Sequence, residues 1–522
     1  MKKFNVTGTC VPSMHYMVDI KNKLLKIMEY VNDGQYFTIN RARQYGKTTT
    51  LHLLEKALPG DYMCVRLSFE GVGDTMFKDP ASFCQRFLLQ VSKVISRTDN
   101  EFASMWLDQS ITDFDMLGYH IEELCKNKKI ILMIDEVDQT SNNRVFLQFL
   151  GMLRSKYLSR NDGYTHAFHS VILAGVHDVK NIKLKLLNEG LTQSGDAGHL
   201  YNSPWNIAAD FNVDMSFMPD EIATMLDSYE TEHDTGMCIS SISNEIYKYT
   251  KGYPFLVSRI CKHIDEKLSG DWSLKGVQSA VRIIVSEKNV LFDDIIKNLE
   301  NSKDIYDILR SLLFNGKKKA LTIHDPIVEW CSMFGLISID EEQNIHVANK
   351  IFEVVISRYF VSKAEGTTRI GREICSGIYS EIVRDGVFDM ENCLRKFASF
   401  YKDVFTSKDV AFLEENGRLV FLSFLFPLIN GRGFYHIESQ FTDLRRMDIV
   451  VDYGHEQFII ELKLWKGEKA QDRAYAQLLD YMDSKHLEKG YLLTFDFRKE
   501  WNKTTKAEWV QVGGKQIFEV IV

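Results

Sequence analysis

Two sets of residues in this 522-residue chain are suited to phosphate chemistry, one near each end. Ile39-Asn40-Arg41-Ala42-Arg43-Gln44-Tyr45-Gly46-Lys47-Thr48 is a tight, glycine-bearing loop that ends in a lysine and a hydroxyl. Backbone N–H groups of such a loop, with the positive end of the helix it opens, cradle phosphates. Lys47 is then placed to reach the β- and γ-phosphates of ATP, and the Thr48 hydroxyl to ligate Mg2+. Arg43, Gln44, Tyr45, Gly46 and Thr49 complete the expected nucleotide contacts. Farther on, residues 129–138 read KIILMIDEVD. Asp135 at the tip of that apolar run is expected to hold the magnesium through water. Glu136, next to it, is expected to orient and deprotonate the attacking water. A Gly-Lys-Thr tripeptide alone fits an ordinary strand–turn–helix with a solvated lysine. Both halves in this order favour a nucleotide site. One departure stands out: Arg41 occupies the position where the usual loop begins with glycine.

The second set lies near the carboxyl end. Residues 434–440 (FYHIESQ), 447–453 (MDIVVDY) and 458–464 (FIIELKL) alternate as three consecutive strands. Side chains two apart in a strand share a face, so Glu461 and Lys463 project together. Asp448 approaches that face if its strand pairs with the next as a hairpin. Two carboxylates and a lysine make a hard-cation site, with Asp448 and Glu461 as Mg2+ ligands and Lys463 stabilising or helping to deprotonate a water. In-line attack on a phosphodiester needs such charge neutralisation. Structural ion pairs on a solvated sheet face are the plain alternative. Arg445-Arg446 just upstream adds local positive charge for phosphates.

The elements that must position these groups are legible in outline. Residues 36–40 (YFTIN) read as a buried strand, and Leu51, Leu53, Leu54 and Leu58 recur at helical spacing from Thr48 onward. The unbroken apolar run 130–134 suits a central parallel strand covered on both faces. Pro219-Asp220-Glu221 suits a first helical turn. Helices over 221–229, 241–249, 254–268 and 276–299 form a helical lid. Helices over 304–314 and 326–335, then short strands over 336–340 and 345–349, have the shape of a winged helix. The acidic hairpin tip favours protein contact over groove reading.

At 522 residues the chain exceeds one ordinary core, so about three or four domains are expected. The start Met1-Lys2-Lys3 is followed by no apolar stretch, and residues 419–429 are too short and interrupted to span a bilayer. The nine cysteines are scattered without CxxC pairs, which fits reduced thiols in a cytoplasmic protein and argues against a zinc site. A net charge of −8 excludes a generally nucleic-acid-coated surface but not a local basic groove.

The segments HYMVD (15–19), QYFTINRARQYGKTT (35–49), ILMIDEVD (131–138), VILAGVHDV (171–179) and YTKGYPFLVSRIC (249–261) resemble AAA-like P-loop ATPases of the STAND and archaeal group. The motifs at Lys47 and Asp135 then correspond to Walker A and Walker B. The resemblance spans about residues 10–290. It implies a γ-phosphate sensor at His177 or Asp178 and a Gly-x-Pro lid signature at Gly252-Tyr253-Pro254, with Pro254 near the nucleotide. Arginine-bearing loops are familiar in that group, which accommodates Arg41. ATP binding in such relatives more often gates a switch than drives translocation, and self-association through the ATPase is commonly implied.

The order strand, strand with ExK, helix, strand over residues 370–522 resembles the PD-(D/E)XK nuclease superfamily. That resemblance makes Asp448, Glu461 and Lys463 the core triad and gives Gln477 and Tyr481 the QxxxY positions. It also implies an auxiliary carboxylate, for which Glu415 is the choice, with Glu414, Glu438 and Asp443 nearby. The expected fold is therefore multidomain α/β: a P-loop ATPase core (1–205), a helical lid (206–300), a winged-helix domain (301–365) and a nuclease-like domain (366–522). The expected cofactors are ATP and Mg2+, and the expected partner is nucleic acid, DNA first, with no membrane. The fusion implies a bacterial protein of defence or mobile-element biology. The competing expectation is an ATP-driven switch whose nuclease fold only binds nucleic acid or partners.

Overall fold

The computed structural model describes residues 2–137, 144–175, 205–315, 325–340, 343–367, 378–404, 410–429, 433–438, 448–454, 456–465, 467–496 and 506–522. For Asp448, Glu438, residues 410–416 and a few others, that description is of the backbone alone. The chain forms two compact units, residues 1–277 with 329–335 and residues 278–328 with 336–522.

The first unit is built on a four-stranded parallel sheet in the order Tyr36–Asn40, Ser170–Gly175, Lys129–Asp135, Tyr62–Ser68. Ile130 to Ile134 are fully buried, because helices cover both faces of an all-parallel sheet and every position must be apolar. Phe83, Phe87, Trp106, Phe146 and Phe149 fill the core on one side. Parallel pairing brings Asn40, Ser68, Asp135 and Gly175 to one edge, at the carboxyl ends of the strands, where open α/β sheets take ligands.

Helices Pro219–His233, Ile239–Thr250 and Pro254–Lys267 follow, the first and third with proline in the first turn. The single helix expected over 276–299 is instead two, Leu274–Ser286 and Val290–Asn301. Asn289 takes an extended conformation (φ −148°, ψ 157°), and its side chain accepts from the Phe292 N–H, so a cap interrupts the apolar periodicity. The turn before Pro254 depends on Gly252, whose φ is +73°. The Phe217 N–H donates to the Gly252 carbonyl at 2.8 Å. A Cβ at position 252 would lie 2.2 Å from the Phe217 oxygen. Gly252→Ala is therefore expected to destabilise the first unit by at least about 2 kcal/mol, read as a lower urea midpoint.

The second unit carries a six-stranded mixed sheet in the order Gly433–Glu438, Asp448–Tyr453, Glu456–Leu464, Lys489–Phe495, Lys515–Ile521, Lys506–Val512. The first three strands pair antiparallel, and the third, fourth and fifth run parallel. Helix Glu468–Ser484 makes the crossover between parallel strands and covers one face. Its Ala474, Leu478, Tyr481 and Met482 pack on Val450, Ile459, Leu492 and Ile517. On the opposite face, Phe397 and Tyr401 lie against Phe495, with ring centroids 6.3 and 5.5 Å away.

The hairpin at the expected winged-helix position forms from Ile337–Ile339 and Ile345–Val347. The Asp340 carboxylate closes it, 2.8 Å from the Asn344 N–H and 2.9 Å from His346 Nε2. Residues 316–324 and the acidic pair Glu341-Glu342 lie outside the described residues. No described helix is long and apolar enough to cross a membrane.

Candidate functional site

The glycine-bearing loop joins strand Tyr36–Asn40 to helix Lys47–Ala57. Its left-handed turns fall on Gln44 (φ 57°) and Gly46 (φ 80°), not on Arg41. A non-glycine at the loop's start is tolerated because Arg41 continues the sheet ladder, its N–H donating to the Gly175 carbonyl at 3.1 Å. The Arg41 guanidinium donates to the carbonyls of Asn40 and Val213, each at 2.7 Å, and lies over the Phe211 ring. Burial lowers its pKa, opposed by the charges of Tyr45 and Asp214. Arg41 thus anchors the loop to the protein. Its partner Val213 lies 172 residues away in sequence, which is why the loop alone did not reveal this role.

Lys47 opens the helix, is buried, and donates from Nζ to the carbonyls of Arg41 (2.8 Å) and Ala42 (3.0 Å). The Thr50 hydroxyl donates to the Gly46 carbonyl, and Thr49 Oγ1 accepts from the Cys10 N–H at 3.1 Å. Thr48 follows Lys47 in the first helical turn, half-buried. A Cβ at Gly46 would meet nothing within 4 Å, so the glycine serves the loop's turn and leaves space beside it. The Tyr253 hydroxyl donates to the Arg43 carbonyl at 2.5 Å, and its ring meets Tyr45 edge-on at 4.7 Å. Burial, with the Asp214 charge, pushes Tyr45 up to about 12. Pro254 follows, buried at the start of its helix. Gly335 closes on the same loop: a Cβ there would lie 2.9 Å from the Ala42 methyl and 3.6 Å from the Tyr253 ring.

Asp135 ends its strand, buried, with its Oδ1 accepting from the Glu136 N–H at 3.0 Å. Glu136 itself holds φ 57°, a conformation costly for a side chain of its length. Asn40 Oδ1, at the same end of the sheet but two strands away from Asp135, is buried without a hydrogen-bond partner among the described residues. These oxygens suit a hydrated hard cation beside a triphosphate. His177 and Asp178 lie outside the described residues.

In the second unit, Ile449 pairs with Ile460, so the next rung of the same ladder sets Asp448 opposite Glu461. Glu438 is the register partner of Asp448 on the outer strand. Glu461 is 1% exposed and forms an ion pair with Lys463 two residues on, as the strand period requires. Burial pulls the Arg418 guanidinium of helix Val410–Ile429 down to about 10, and the Glu461 charge opposes that pull. Glu415 sits on the same helix, one turn before Arg418, and its side chain lies outside the described residues, as does that of Asp448.

Gln477 and Tyr481 belong to the helix over this face. Gln477 Oε1 is buried with no hydrogen-bond partner among the described residues, and Tyr481 is packed in the apolar cluster. A buried carboxylate and a buried, unsatisfied amide oxygen are each the kind of oxygen donor that a hard cation takes. Among the described residues no three His, Cys, Asp or Glu side chains gather to hold a metal, so such an ion would depend on Asp448 joining Glu461.

The same face holds a second polar cluster. Glu461 pairs with Leu492 and Leu492 with Glu519, so Glu519 lies on the same row two strands away. It is buried, accepts from Gln471 Nε2, and pairs with Lys506 Nζ at 3.0 Å. Burial and the hydrogen bond to Glu519 push Tyr475 up to about 12. Gln471 and Tyr475 repeat the spacing of Gln477 and Tyr481 six residues earlier, a signal present in the sequence.

A family model described as AAA-like domain matches residues 10–354, and one described as PD-(D/E)XK nuclease superfamily matches residues 434–505. Among solved structures, the chain is similar to a Walker-type ATPase of Pyrococcus abyssi at 14% identity, covering 68% of this chain and 99% of that one, with a TM-score of 0.46. It is also similar to the Aeropyrum pernix ORC2 protein in ADPNP and ADP complexes, at 13% identity over 69% of this chain and 98% of that one, with a TM-score of 0.38. A RuvB mutant of Thermotoga maritima gives 10% identity, 63% and 92% coverage, and a TM-score of 0.30. No curated protein matches the chain.

Proposed function

This chain belongs to the AAA-like domain family, and because it also carries a PD-(D/E)XK nuclease superfamily domain we propose that it is an ATP-regulated, metal-dependent nuclease. The observation that carries the nuclease half is the buried Glu461, ion-paired with Lys463 and lying on the strand that pairs with the one Asp448 opens. Bound there by Asp448 and Glu461, Mg2+ supplies charge neutralisation at the phosphodiester and lowers the pKa of a bound water. Lys463 holds the attacking water or its developing charge beside Glu461. Gln477, on the helix that covers this face, carries a buried amide oxygen without a partner among the described residues and is the further donor of this reading. In the hydrolysis the water oxygen bonds phosphorus, the bond from phosphorus to the leaving ribose oxygen breaks, and a water proton ends on that oxygen.

At the nucleotide site, Lys47 exchanges its two loop carbonyls for phosphate oxygens when ATP binds. Thr48 and Asp135 would hold the accompanying Mg2+, and Glu136 would orient the water. Tyr253, bonded to the Arg43 carbonyl, carries the loop's state to the lid helix that begins at Pro254. The finer boundaries (core 1–205, lid 206–300, winged helix 301–365, nuclease 366–522) belong to this reading, as do a cytoplasmic bacterial setting, DNA as first substrate and a role in defence.

The test is cleavage of labelled DNA and RNA with Mg2+ or Mn2+, with and without ATP, beside Asp448→Ala and Glu461→Ala. Cleavage lost in both variants supports the nuclease. Nucleic-acid binding without metal-dependent cleavage in the parent protein turns the reading toward an ATP-driven binding switch.

A further inference from the structure

Strand Lys489–Phe495 reads KGYLLTF, and from Gly490 onward every residue is buried. Thr494 is its one interior aliphatic hydroxyl. The residue is fully buried, and its Oγ1 has no hydrogen-bond partner among the described residues. Nothing about the strand calls for it. Valine has the same branched shape, fits β-structure as well, and leaves no polar atom unsatisfied. A buried hydroxyl without a partner costs stability, so its presence points to a partner that arrives with the reaction.

The register says where that partner would sit. Thr494 pairs with Lys463 on one side and with Ile521 on the other. In-register neighbours project to the same face, so the Thr494 hydroxyl shares the face of Glu461 and Lys463 beneath helix Glu468–Ser484. It also lies near the carboxyl ends of three parallel strands, next to where the Trp465 N–H donates to the Phe495 carbonyl. A position buried this completely is out of reach of a nucleotide, so the partner must be as small as a water.

We propose that Thr494 is a further catalytic residue of the carboxyl-terminal site, its hydroxyl holding the attacking water beside Lys463. This rests on reading that site as hydrolytic. Thr494 accepts a hydrogen bond from the water and transfers no proton of its own, so the balance of the hydrolysis is unchanged.

Thr494→Val and Thr494→Ser in the full chain test it, with two readouts. In metal-free protein, Thr494→Val should melt at or above the parent temperature, because it removes an unsatisfied hydroxyl and keeps the shape. A Val variant that melts well below the parent would show a structural partner for the hydroxyl and overturn the proposal, whether or not any cleavage is seen. In Mn2+-supported cleavage of labelled single-stranded DNA, Thr494→Val should lower kcat about 10²-fold with KM little changed, as loss of a positioned reactant does, and Thr494→Ser should restore most of it. Thr494→Val cleaving at the parent rate while Glu461→Gln is inactive overturns the role of Thr494 alone. Glu461→Gln cleaving at the parent rate overturns the hydrolytic reading beneath it.

Discussion

Glu461→Gln should reduce Mg2+-dependent phosphodiester cleavage by about 10³-fold or more, because it removes one of two carboxylates that can neutralise charge at the metal. The amide keeps the shape of the side chain, which matters in a site this enclosed. Glu461 is buried, pairs with Lys463, and its charge favours the protonated form of the Arg418 guanidinium. Glu461→Ala would take the carboxylate away from Lys463, and breaking a buried pair in that way costs about 3–5 kcal/mol. The informative comparison is therefore cleavage and thermal midpoint measured together for both variants. An inactive Gln variant that melts close to the parent identifies a chemical role. A Gln variant with undiminished cleavage removes Glu461 from the reaction.

Lys47→Ala should lower ATP turnover by about 10²–10³-fold, the usual loss when a cation or donor aimed at a developing charge is removed. In the resting loop the Lys47 amine is already engaged, donating to the carbonyls of Arg41 and Ala42. The same substitution thus releases those carbonyls and loosens the loop. Lys47→Arg separates the two effects: it keeps a positive charge but replaces a compact ammonium with a planar fork. Turnover lost in both variants, with helicity retained by circular dichroism, assigns the amine to phosphate chemistry. Unchanged turnover in Lys47→Ala would place ATP chemistry elsewhere.

Much of this arrangement is legible from local sequence because its signals are local. The run ending in Asp135 is apolar at every position, as a doubly covered parallel strand must be. Glu461 and Lys463 share a face because of the strand period, and the hairpin register that sets Asp448 opposite Glu461 follows from two adjacent strands. What escaped the sequence was set by distant partners or by a cap. Arg41 holds the loop through Val213, which no spacing rule connects to it. The break at Asn289 hides within continuous apolar periodicity, and only the extended backbone at that residue reveals it. Glu519 comes to the row of Glu461 through a strand that follows some fifty residues later, and the motif-length view of Glu461 does not reach it.

The residues that wall the phosphate loop are not contiguous. Residues 329–335 belong to the first unit although the chain on both sides of them belongs to the second, and Gly335 of that stretch approaches Ala42 and Tyr253 so closely that a side chain there would meet both. No single scission therefore yields an intact ATPase half. A truncation ending at Val277 would keep Lys47 and Asp135 yet strip away one side of the loop that carries the lysine, so weak nucleotide binding by such a fragment would say little about the whole protein.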